Sequence, residues 1–159
     1  NMTMLSARMM ELGIEPFYME AVKDNPQVMA EKIKEIAEHG VNGFVYNIDT
    51  LRTAKGVAVL SFVKGKSGTY DKEYITSKGN SWEVFDAGIA CQTFCLAAHA
   101  KGVGTCIMGV IDDKSIAKIV NLPEDETVAA LIVYGYEDGE HAAPNKRKDV
   151  DEIMRFVDR

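Results

Sequence analysis

Three groups of residues in this 159-residue chain have the types and spacing to do chemistry. Cys91, Cys95 and His99 stand at i, i+4 and i+8, on one stripe of a helix. At the helical rise the ends of that stripe lie about 12 Å apart, too far for three ligands on one metal ion. Cys106 makes the cysteine count odd, and no C-x-x-C pair occurs, so neither a disulfide framework nor a zinc knuckle is indicated. The thiols read as buried and inert. The second group is Gly102-Val-Gly-Thr-Cys-Ile-Met-Gly109, a glycine-spaced passage where main chain can come close to a flat ligand. The third is Lys146-Arg147-Lys148, the one dense basic spot in the chain. Arginine offers a planar fork and lysine a point charge, the equipment of a phosphate clamp; the alternative is a solvated surface.

Other side chains offer less. His39, His99 and His141 have no serine or cysteine in a nucleophile-elbow context, so no hydrolytic triad emerges. Cys106 lacks a basic sequence neighbour to lower its pKa. Asp86 stands in an apolar helix and reads as a buried carboxylate held by backbone or arginine. No catalytic side chain is assigned.

The elements that must position these groups follow from punctuation and periodicity. Asn80 to Gly102 reads as a long, almost wholly apolar helix, with Asn80 and Glu83 as a capping-box start. Such a helix is buried all round, in a core or against another subunit. The glycine run then enters a strand; its order, helix to strand, is the reverse of the dinucleotide-binding fingerprint, and packing or capping glycines are the competing reading. Upstream, residues 3–12 look helical and Phe17 to Val22 could form a short strand. Asn25 and Pro26 open a helix that places Val28, Ile33 and Ile36 on its inner side and stops at Gly40. Val41 to Asn47 reads as a loop or short turn. Gly56 to Val63 is an apolar run suited to a strand covered on both faces. Lys64 to Gly79 is a polar stretch long enough to be a functional or mobile loop. Asp112 or Asp113 caps a short helix to about Asn121, Val128 to Tyr136 forms a last strand, and Asp149 to Val157 a closing helix. Helices alternating with about four strands, without repeat or linker, make one α/β or α+β domain spanning 1–159.

A net charge of −6 and a pI of about 5.1 exclude the basic surface that sequence-independent nucleic-acid binding needs. No apolar run approaches the roughly 18 residues of a membrane span, and no secretory leader opens the chain. A cytoplasmic protein without membrane or nucleic-acid partners is the expectation.

Phe85-Asp-Ala-Gly-Ile-Ala-x-Gln-Thr-Phe-x-Leu-Ala-Ala-x-x-Lys-Gly-x-Gly-Thr-x-Ile-Met-Gly109 resembles the central helix and following strand of the nitroreductase family. The likeness continues through Leu122-Pro123-Glu124, the strand ending Tyr134-Gly135-Tyr136, and Ala143-Pro144-Asn-Lys-Arg-Lys, with Gly43-Phe-Val-Tyr-Asn47 upstream. The resemblance implies an α+β sandwich, a mostly antiparallel central sheet flanked by helices, assembled as an intertwined homodimer with FMN at its interface. It implies an oxidoreductase that moves hydride from NAD(P)H through the flavin to nitroaromatics, quinones or similar small acceptors. By position, Asn47 would contact the flavin ring, the main chain of Ile107, Met108 and Gly109 would lie along it, and Lys146 and Arg147 would hold the phosphate. The family's N-terminal Arg-Arg-Ser-x-Arg and Pro-Ser-x-x-Asn-x-Gln elements have no counterpart in residues 1–17, which leaves open a second reading: a family-like dimer that binds no FMN, or another ligand, in a binding or structural role.

Overall fold

The computed structural model describes residues 26–40, 45–139 and 146–157. The helix expected over 3–12, the strand at 17–22 and the Asn25 cap lie outside the described residues. Helix α1, Pro26–Glu35, begins on the proline as expected and passes into a π-helical turn, Ile36–Gly40. Ile36 is buried, whereas Val28, expected on the inner side, is exposed. Helix α2, Val45–Thr53, takes in Asn47, expected in a loop or short turn. Strand β1 is Gly56–Val63, and β2 (Thr69–Tyr70) with β3 (Glu73–Tyr74) forms a small hairpin within the stretch expected to be a functional or mobile loop. Helix α3, Ser81–His99, leads into β4, Gly104–Met108; then come α4 (Asp113–Ile119), β5 (Glu126–Gly135) and α5 (Val150–Ile153).

The sheet order is β1-β5-β4, with both neighbours antiparallel to β5. The architecture is therefore α+β with an antiparallel sheet, as expected. β5 lies between two strands and reads as a near-continuous apolar run because both of its faces are covered: Val128 and Ala130 to Val133 are buried. Edge strand β1, expected to be covered on both faces, is buried only at Gly56 and partly accessible elsewhere. Its pairing with β5 slips between Leu60 and Ser61, leaving Ala129 without a register partner. The extra residue reverses the alternation, so Val128 joins Leu131 and Val133 in one cluster with Met108, Ile36, Ala37, Leu51, Ile116 and Ile119.

Helix α3 lies against β1, β4 and β5 and buries Glu83, Ala87 and Cys91, one stripe at four-residue spacing. Its other sides are not covered by the described residues of the chain, which leaves the expected cover by another subunit as the open half of that reading. Val84, Phe85, Ile89 and Leu96 are all more than half exposed. The capping box also fails to form: Asn80 is itself helical and makes no side-chain cap, the Glu83 N–H donates to the Asn80 carbonyl, and the Glu83 carboxylate faces the hairpin. At α4 the expectation holds, with the Asp112 carboxylate accepting from the Ser115 N–H at 3.0 Å. The last helix is shorter than expected, ends at Ile153, and buries no residue.

Candidate functional site

Strand β4 ends where the glycine-spaced run predicted an approach of main chain to a ligand. The pleat sends alternate side chains to opposite faces. Met108 pairs with Leu131 and is 3% exposed in the core; Ile107 pairs with Ile132, points the other way, and is 50% exposed. Among the described residues β4 pairs only with β5, so its outer edge keeps main-chain groups that the sheet does not use. Gly109 follows immediately. A Cβ built there meets no heavy atom within 4 Å, so the strand exit faces open space.

The remaining predicted residues are placed differently. Asn47 falls in the first turn of α2. Lys146 and Arg147 are exposed and enter no salt bridge among the described residues. Asp149 opens α5, its N–H donating to the Glu152 carboxylate at 3.3 Å. The structure thus brings Ile107, Met108 and Gly109 together and leaves the basic cluster on a segment with no buried residue.

The cysteines only partly follow the buried, inert reading. Cys91 is buried, Cys95 intermediate and Cys106 exposed. Burial pushes the Cys91 thiol above its ordinary value, with Cys95 beside it adding to the effect. No group of three or more His, Cys, Asp or Glu side chains suited to a metal occurs among the described residues. Asp86, expected to be buried, is exposed and accepts the Ser67 hydroxyl.

The partners of Glu83 are not legible in the sequence. This carboxylate is 4% exposed and accepts from the Gly65 N–H at 2.6 Å and the Tyr74 hydroxyl at 2.8 Å. The bond to Glu83 and the loss of water raise the Tyr74 pKa above its ordinary 10.0. Beside it runs a groove of about 470 Å³ lined by Phe62, Asn80, Ser81, Glu83, Val84 and Phe85. A glutamate three residues after Asn80 signalled a helix start, and nothing local signalled the partners that outcompete the cap.

The family model described as the nitroreductase family matches residues 12–136, and the chain belongs to that family of oxidoreductases. Among curated proteins, none matches the sequence. Solved structures share the fold. A nitroreductase family protein from Streptococcus pneumoniae TIGR4 is similar at 19% identity and a TM-score of 0.65, over 80% of this chain and 76% of that one. An FMN-dependent nitroreductase from Clostridium difficile R20291 is similar at 24% identity and TM-score 0.56, over 80% and 69%. A nitroreductase family protein from Clostridium difficile 630 is similar at 16% identity and TM-score 0.56, over 86% and 88%. No described helix is long and apolar enough to cross a membrane.

Proposed function

We propose that this chain is an FMN-dependent oxidoreductase that takes hydride from NAD(P)H and passes it to a nitroaromatic, a quinone or a similar small acceptor, working as a homodimer. The observation that carries the reading is the open main-chain wall at Ile107 to Gly109, in a chain of this family. The residues fit the cofactor. A flat ring needs backbone without a side chain in the way, which Gly109 supplies. A phosphate needs uncommitted cations, and Lys146 and Arg147 make no ion pair among the described residues.

When bound, FMN supplies the capacity to accept and donate a hydride. The chain's part is to bind and orient: Ile107, Met108 and Gly109 form the wall, Asn47 contacts the ring, and Lys146 with Arg147 holds the phosphate. The homodimer reading rests on the exposed Val84, Phe85, Ile89 and Leu96 of α3 and the exposed Val150, Ile153, Met154 and Phe156 near the end of the chain. Two copies meeting through these surfaces let the basic cluster of either protomer serve a shared cleft.

Added FMN should develop a bound-flavin spectrum and raise the melting temperature. Arg147→Ala should weaken FMN affinity about 10- to 100-fold, as loss of a charge-assisted bond implies, with the dimer intact. A protein that neither takes up FMN nor is stabilised by it would favour the flavin-free dimer, and an unchanged affinity in Arg147→Ala would reject the clamp.

A further inference from the structure

We infer that residues 65–79 form a strap that opens as one unit, independently of the sheet, and that the Glu83 carboxylate is its latch. No residue of this segment is buried. Among the described residues, four hydrogen bonds involving side chains join it to the rest of the chain, and all of them end on one stretch of α3. Glu83 accepts from the Gly65 N–H and the Tyr74 hydroxyl, Asp86 accepts from the Ser67 hydroxyl, and the Trp82 indole N–H donates to the Thr76 hydroxyl. The Trp82 ring also covers Gly68, and Lys78 stands 6.0 Å from the ring centre.

Internal bonds make the strap a unit. The β2–β3 pair, Ile75 N–H to the Gly68 carbonyl, and Gly79 N–H to the Thr76 carbonyl all close within it. Its two ends are glycines in the left-handed region, Gly65 at φ 70° and Gly79 at φ 54°, each with open space where a Cβ would stand. Such ends absorb backbone rotation without collision. Segments with few buried contacts and exposed hydrogen bonds open below the global unfolding free energy. Of the three helix residues that hold the strap, Glu83 is the buried one, so its release decides the opening.

The strap also stands at a telling place. β1 and β4 run in the same direction, both antiparallel to β5, so the chain leaves β1 at the sheet end where β4 exits at Gly109. Val59 and Met108 share Leu131 as partner, and Val63 lies about 13 Å further along. There the strap controls how large an electron acceptor reaches the exit of β4, a role that rests on the flavin reading.

Hydrogen exchange on the flavin-free protein tests the strap by itself. Its bonded amides should exchange at least about 100-fold faster than those of β5, and Tyr74→Phe should speed them about tenfold further. Strap amides exchanging at the rate of β5, or no acceleration in Tyr74→Phe, would overturn the latch. Gating is read from kcat/KM for 1,4-benzoquinone against a naphthoquinone. Tyr74→Phe should raise the naphthoquinone value relative to the smaller quinone. An unchanged ratio in a protein that binds FMN would overturn gating and leave the flavin reading standing.

Discussion

Gly109 separates the fold from the proposed cofactor wall, and Gly109→Val tests both at once. Its backbone lies outside the left-handed region, and a Cβ there meets nothing within 4 Å. The substitution should therefore leave the flavin-free fold within about 0.5 kcal/mol of the parent, or stabilise it by up to about 1 kcal/mol through a less flexible unfolded chain. For a domain of this size that is a rise in melting temperature of at most about 4 °C. A ring resting on this wall would need van der Waals contact at about 3.5–4 Å with main-chain atoms, the gap that valine methyls would fill. Lifting the ring off about 100 Å² of wall forfeits about 2.5 kcal/mol, or roughly 70-fold in affinity. FMN titration by flavin fluorescence and thermal melting without flavin measure the two halves. Parental FMN affinity in Gly109→Val would refute the wall. A large drop in the flavin-free melting temperature would refute the open space.

Three further expectations follow from the geometry. Gly40→Ala should destabilise the fold by about 1–3 kcal/mol, read as a lower urea midpoint with unchanged slope, because its Cβ would stand 2.7 Å from Cγ1 of the fully buried Ile116. Tyr74 should ionise later than an ordinary phenol in an ultraviolet titration, and Tyr74→Phe should remove that late step. A raised folded value means that the Tyr74 contribution is present below pH 10 and lost as pH climbs through it, so neutral solutions keep the strap latched. Ile89→Arg, at an exposed position on α3, should weaken self-association at least about 100-fold by sedimentation while leaving the far-ultraviolet dichroism of the chain unchanged.

Most elements were legible because their signals are local. Apolar runs bounded by glycine marked β1 and β5, Asp112 marked α4, and the capped apolar stretch marked α3 to within a few residues. The same signals named the exit of β4 as a place of close approach, and open space over Gly109 is what the structure shows there. α2 was not read, since Val45 to Thr53 mixes aromatic, polar and charged residues without a clear apolar face. The hairpin escaped because its turn carries no glycine: Asp71 and Lys72 take positive φ themselves.

By itself, then, the amino-acid sequence determined the longer helices and strands, the family, and the glycine passage at the β4 exit. Hydrogen-bond period and turn chemistry are properties of neighbouring residues. Only the tertiary structure decided which face of α3 is covered, that the bulge at Ala129 returns Val128 to the core, and that Glu83 abandons its cap for Gly65 and Tyr74. Each of these depends on segments brought back from elsewhere in the chain. A carboxylate satisfies its oxygens with the donors that folding places beside it, whatever the adjacent residues offer.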